Sequence, residues 1–150
     1  MEPGMMSITD SYRLTRPVAI NIRNRVLIVD DHPAIRRALR REFEHAGWEV
    51  CGDAANGREA IAKTEQLLPE LIVLDLAMPE MNGLTTARLL KRTFPDVHLI
   101  LFTGHGELFK HDEAVCAGVA AVCSKSEPVR NLLERARRLV RKDAIGAPPS

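Results

Sequence analysis

Leu71-Ile72-Val73-Leu74-Asp75 is a run of four aliphatic residues closed by a carboxylate. It is too short for a helix, and it is bounded by Pro69 before and by Pro79 and Gly83 after. Such a run predicts a strand covered on both faces, as in a parallel sheet. The pattern recurs on either side of it. Val26-Leu27-Ile28-Val29 is closed by Asp30 and Asp31, and His98-Leu99-Ile100-Leu101-Phe102 is closed by Thr103. The shorter run Ala120-Ala121-Val122-Cys123-Ser124 precedes Lys125. A weaker strand is expected over Trp48–Asp53, and it alone ends without such a residue.

Helical periodicity fills the gaps. Ile35, Ala38, Leu39, Phe43 and Ala46 share one face after Pro33, which suits a first turn, and Gly47 gives the stop. Ala60, Ile61, Thr64, Leu67 and Leu68 stripe a second helix that ends before Pro69. Leu84, Ala87, Leu90 and Phe94 stripe a third, ended by Pro95. A weaker fourth is expected from about Leu108 to Ala117, with Gly118 as its cap. The last starts near Pro128 and carries Val129, Leu132, Leu133, Ala136, Leu139 and Val140. Five alternating strand and helix units predict an α/β fold, a doubly wound five-stranded parallel sheet with helices on both faces.

Bulk properties narrow the function. A chain of 150 residues with 45% hydrophobic and 27% charged content has the composition of one soluble domain. A net charge of +1 gives no argument for nucleic acid or an anionic membrane as a partner, and no aromatic interleaving supports single-strand nucleic-acid binding, so neither partner is expected for these residues. No run approaches a membrane span or a signal-peptide core. Cys51, Cys116 and Cys123 form no Cys-x-x-Cys pair, and they are expected as buried free thiols in a reducing, cytoplasmic setting. Residues 1–24 lack periodicity and are expected as a disordered extension, with the domain over 25–142 and a tail over 143–150.

Ligands of open parallel sheets bind beyond the carboxyl ends of the strands, where strand order reverses. Asp30, Asp31, Asp75, Thr103 and Lys125 are all expected at that edge. Adjacent carboxylates repel unless a cation lies between them or water screens them. Hard oxygen ligands suit Mg²⁺, which keeps several waters and needs only a few carboxylates. With the pocket neutralised, Asp75 can act as a carboxylate nucleophile toward a phosphoryl group. Thr103 can donate to a phosphoryl oxygen, and Lys125 can pair with another as a point charge. Singly, each residue has an ordinary alternative: a turn aspartate, a strand threonine, a solvated lysine. The conjunction at successive strand ends carries the reading.

Val-Leu-Ile-Val-Asp-Asp-His-Pro at 26–33, Asp-Leu-Ala-Met-Pro-Glu-Met-Asn-Gly-Leu at 75–84, Leu-Phe-Thr-Gly at 101–104 and Ser-Lys at 124–125 resemble the receiver domain of bacterial two-component response regulators, the CheY-like family. The Asp-Asp-His-Pro word is similar to receivers usually fused to LuxR-type helix-turn-helix outputs. The resemblance implies a flavodoxin-like strand order 2-1-3-4-5. It implies Asp75 as phosphoacceptor and a Mg²⁺ (or Mn²⁺) site on Asp30, Asp31, Asp75 and the backbone carbonyl of Ala77. It further implies Thr103 as switch hydroxyl, Lys125 as phosphoryl contact, and a sensor histidine kinase or phosphotransfer protein as donor. A homodimer through the fourth helix, fifth strand and fifth helix is one expected output. A DNA-binding output domain is another, and it is not encoded in these residues.

Two departures stand out. Val122 occupies the position where the family commonly has Tyr or Phe, and Ser126 follows the lysine where proline is usual. Gly104 and His105 lie in the loop after Thr103, where His105 is a candidate for tuning phosphoryl lifetime by shielding or orienting water. His105 and His111 have no companions at zinc-ligand spacing. A turnover enzyme is not expected: aspartyl-phosphate phosphatases need an acid two residues past the nucleophile, where this chain has Ala77. A flavodoxin-type flavin site fails for want of a Ser/Thr/Gly-rich loop after the first strand. The standing alternative is a receiver-like scaffold that is never phosphorylated.

Overall fold

The computed structural model describes residues 24–104 and 111–146, with residues 142–146 as backbone. Five strands form one parallel sheet: β1 (Arg25–Val29), β2 (Glu49–Ala54), β3 (Leu71–Asp75), β4 (His98–Thr103) and β5 (Ala121–Ser124). The helices are α1 (Pro33–His45), α2 (Gly57–Leu67), α3 (Gly83–Thr93), α4 (His111–Cys116) and α5 (Val129–Gly146). Strand order is β2-β1-β3-β4-β5, as the resemblance implied.

Side-chain alternation along each strand divides the core in two. Leu27, Val29, Ile72, Leu74, Leu99 and Leu101 meet Ala60, Leu84, Ala87, Leu90 and Ala114, so α2, α3 and α4 cover one face. Val26, Ile28, Leu71, Val73, Ile100 and Phe102 meet Leu39, Phe43, Leu132 and Ala136, so α1 and α5 cover the other. Burial on both faces is why β1, β3 and β4 are continuous apolar runs.

The caps follow from local chemistry. Beyond α1, the Gly47 N–H donates to the Glu44 carbonyl and the Trp48 N–H to the Phe43 carbonyl, both at 3.0 Å. Gly47 adopts φ 93°, so this is a Schellman turn with its glycine at the left-handed position. The ring of Trp48 meets that of Phe43 edge-on, 5.3 Å between centroids. Asn56 caps α2 by accepting from the Glu59 N–H, and Asn82 caps α3 by accepting from the Thr85 N–H.

Several expectations shift. The second strand is Glu49–Ala54 rather than Trp48–Asp53. It carries a bulge: Val26 pairs with Val50 but Leu27 with Gly52, leaving Cys51 as the extra residue. Leu68 does not join the buried stripe; it caps α2 in the left-handed conformation and is 65% exposed. Ala46 is also exposed, because the chain is already leaving α1 there. Only Cys123 is a fully buried thiol, Cys51 is half-buried and Cys116 is exposed on α4. The expected fourth-helix start near Leu108 lies outside the described residues, as does His105. The last helix continues to Gly146, into the stretch expected as tail. Among the described residues, no helix is long and apolar enough to cross a membrane.

Candidate functional site

Register alone brings the acids together. Val29 of β1 pairs with Leu74 of β3, so Asp30 and Asp75 are neighbours one step further on. Asp75 pairs in turn with Phe102 of β4, and Thr103 with Ser124 of β5. The Lys125 N–H donates to the Thr103 carbonyl at 2.7 Å, extending the ladder one residue past β5. That hydrogen bond holds Lys125 at the carboxyl edge.

The side chains converge as well. Asp30 and Asp75 are each 1% exposed. Lys125 Nζ lies 2.9 Å from Asp30 Oδ2 and 3.1 Å from Asp75 Oδ1, and 6.0 Å from the centroid of the Phe102 ring. Asp31 sits beside them, half-buried. Burial works against the Lys125 ammonium, but its contacts with Asp30 and Asp75 outweigh that and push its pKa above the usual 10.5. The lysine is therefore a fixed cation at neutral pH.

Three carboxylates against one ammonium leave the pocket anionic. Ligand atoms from Asp30, Asp31, His32 and Asp75 all lie within 4.8 Å of one another. Asp30 Oδ2 and Asp31 Oδ1 are closed to solvent and make no well-directed hydrogen bond; Lys125 Nζ lies 2.9 Å from the first and His32 Nδ1 3.0 Å from the second. Compact hard oxygens with spare accepting capacity fit a small divalent cation. Ala77, the fourth expected ligand, lies exposed in the loop after β3.

That loop is anchored at both sides. Leu76 and Met78 are buried in the core, while Glu80 turns the chain at φ 68°. The Gly83 N–H donates to the Leu76 carbonyl at 2.8 Å. A Cβ on Gly83 would stand 2.3 Å from the Asp75 carbonyl oxygen, so the start of α3 packs directly on the backbone of Asp75. Thr103 is buried at the end of β4 and shares strand parity with Leu99 and Leu101. Gly104 follows, half-buried. Val122 is half-buried and packs on the cluster under α3 and α4.

Sequence reasoning passed over two contributors and read a third only as a residue flanking the pocket. Arg36 Nη1 donates to the Asp30 carbonyl at 2.6 Å, and its Nε lies 3.6 Å from Asp53 Oδ1. Arg40 also reaches Asp53, at 3.6 Å. Part of the basic run on α1 thus braces β1 against β2. The second is Gly83, signalled only by the Asn-Gly word after Asp75. The third is His32, whose Nδ1 lies 3.1 Å from Asp30 Oδ1 and 3.0 Å from Asp31 Oδ1.

A doubly wound sheet of order 2-1-3-4-5, with an acidic pocket and a lysine beyond its strand ends, defines the flavodoxin-like class of α/β domains. The sequence pattern of the "Response regulator receiver domain" matches residues 26–137, and the chain belongs to that family of two-component signalling modules. It is 39% identical over 94 residues to the chemotaxis protein CheY of Thermotoga maritima, covering 63% of this chain and 78% of that one. It is 30% identical over 125 residues to the response regulator protein VraR of Staphylococcus aureus, covering 83% of this chain and 60% of VraR. A crystal structure of a LuxR-family two-component response regulator from Aurantimonas superposes with a TM-score of 0.75 at 26% identity, covering 80% of this chain and 86% of that one. The chain thus resembles both a chemotaxis receiver and LuxR-type regulators, and it spans less than two thirds of VraR.

Proposed function

We propose that Asp75 accepts a phosphoryl group from a histidine kinase or phosphotransfer protein, with Mg²⁺ or Mn²⁺ required, and that the acyl phosphate switches a protein contact. One observation carries this reading: Lys125 and Asp30 meet Asp75 at the carboxyl end of the sheet, with Asp31 alongside. In the transfer, an Asp75 carboxylate oxygen bonds to phosphorus while the P–N bond of the donor phosphohistidine breaks. The imidazole nitrogen keeps that electron pair and takes up a proton from solvent. Asp30, Asp31, Asp75 and the Ala77 carbonyl would hold the cation, which supplies charge neutralisation for the incoming oxygens. Lys125 would leave Asp75 for a phosphoryl oxygen, and the Thr103 hydroxyl would donate to another.

Catalysis here is positioning and charge compensation. The rigid parts are the strand ends and the contact of Gly83 on the Asp75 backbone. Phosphorylation would draw Thr103 toward Asp75 and bias the α4–β5–α5 face toward a partner, either a second copy or an output domain. The free thiols fit a cytoplasmic setting.

Intact mass after incubation with acetyl phosphate tests the reading. The expected result is a gain of one phosphoryl group that needs Mg²⁺ and is absent in Asp75→Asn. No gain in the folded protein would favour a scaffold acting by protein contact alone. One observation favours that second reading: Val122 is packed into the core cluster and supplies no aromatic ring to rotate with Thr103.

A further inference from the structure

His32 is the N-cap of α1, yet its side chain makes no capping hydrogen bond. Its ring turns instead toward the acid pair: Nδ1 stands 3.1 Å from Asp30 Oδ1 and 3.0 Å from Asp31 Oδ1. The His32 backbone N–H also donates to Asp30 Oδ1 at 2.9 Å, so ring and carboxylate are held in a fixed relation. The side chain is 66% exposed, and the tautomer protonated at Nε2 offers the Nδ1 lone pair to a cation. Ligands at right angles on an octahedral ion, each about 2.1 Å from it, are about 3.0 Å apart. The ring nitrogen therefore stands at an adjacent-ligand spacing from both carboxylates, within the same 4.8 Å cluster as Asp75.

Resting on the cation site of the preceding reading, we propose that His32 Nδ1 is a further metal ligand and tilts this pocket from Mg²⁺ toward divalent transition ions, Mn²⁺ among them. The chemistry is that of ligand softness. Carboxylate, carbonyl and water oxygens suit Mg²⁺, whereas an imidazole nitrogen gives transition ions an added advantage. An all-oxygen pocket lacks that added advantage. His32 is thus a specificity-determining residue for the cation, separate from the phosphoacceptor chemistry.

The test uses the full chain, Mn²⁺ and Mg²⁺, and the variant His32→Phe, which keeps a planar ring without a ligand atom. Titration calorimetry gives both affinities, and electron spin echo modulation of bound Mn²⁺ reports directly coupled ¹⁴N. The expected result is nitrogen coupling in the parent and none in the variant, with Mn²⁺ affinity lowered about 10-fold or more and Mg²⁺ affinity changed far less. Cation binding with no nitrogen coupling in the parent, and an unchanged Mn²⁺ to Mg²⁺ ratio in the variant, would overturn the proposal while leaving the cation site intact. His32 would then be a hydrogen-bond donor to the two carboxylates. Failure of both ions to bind the folded parent would overturn the cation site itself, and this proposal with it.

Discussion

The Lys125 ammonium bridges two carboxylates at the ends of neighbouring strands, Asp30 at 2.9 Å and Asp75 at 3.1 Å, both almost fully buried. Removing one partner of a buried charge pair leaves an uncompensated charge, which costs about 3–5 kcal/mol. Lys125→Met leaves Asp30 and Asp75 facing each other without their ammonium. The expected loss is about 3 kcal/mol, at the lower end because the pocket reaches solvent on the Asp31 side. Urea unfolding in EDTA, followed by Trp48 fluorescence, measures it. Millimolar Mg²⁺ should recover part of the loss, since a cation among the same carboxylates replaces the missing charge. An unchanged midpoint in EDTA would mean that the two pairs contribute nothing net.

The same pairs set an alkaline limit. The Lys125 pKa in the folded chain lies above its usual 10.5, despite burial, because Asp30 and Asp75 hold the charged form. Folding therefore gains from these contacts at every pH below 10.5, and the gain fades as pH rises through the raised value. Unfolding midpoints measured from pH 8 to 11.5 should fall for the parent above pH 10.5. Over that upper range Lys125→Met should fall less. Parallel curves for the two proteins would show that the ion pairs do not carry the alkaline decline.

Gly83 offers a test of how the Asp75 backbone is held. A Cβ there would stand 2.3 Å from the Asp75 carbonyl oxygen and 2.8 Å from the Leu76 Cα. Both obstacles are backbone atoms, so no rotamer change relieves the clash. Overpacking of this kind costs about 1–3 kcal/mol, and occasionally more. Gly83→Ala is expected at the upper end, near 3 kcal/mol, with slower phosphorylation by acetyl phosphate because the Asp75 main chain must shift. A stability loss under about 0.5 kcal/mol, the range of ordinary surface changes, would show that α3 moves away freely.

The sequence was most legible where one pattern had one cause. Runs buried on both faces marked β1, β3 and β4, and polar residues closing them marked the carboxyl edge. Legibility failed where tertiary geometry overrode local pattern. Leu68 continues the apolar period of α2 but sits past its end, because Pro69 forces the chain to leave the helix. Cys51 breaks register as a bulge, which no residue-level signal announces. Asp53, at the end of the expected second strand, drew no reading of its own; it is engaged by Arg36 and Arg40, and only the folded pairing of β1 with β2 brings them together. His32 was visible beside the acid pair, but the direction of its ring depends on where α1 begins.

Phe43 and Trp48 allow the most stringent test of the packing. Phe43 is fully buried between α1 and the sheet, and its carbonyl accepts the Trp48 N–H in the turn that ends the helix. The two rings meet edge-on at 5.3 Å and 89°, a favoured aromatic geometry worth about 0.5–1.5 kcal/mol beyond burial. Phe43→Ala removes the ring contact and leaves a cavity beside Val26, Ile28 and Leu132, so about 3–5 kcal/mol should be lost. Phe43→Leu keeps most of the volume but not the ring, and should lose about 1.5 kcal/mol or less from repacking plus the aromatic contribution. Trp48 is the only tryptophan, so its emission reports on this contact directly. Both variants should show altered Trp48 emission in the native state, with only Phe43→Ala unfolding at markedly lower urea. Equal losses for the two would mean that the aromatic contact, rather than filled volume, dominates this corner of the core.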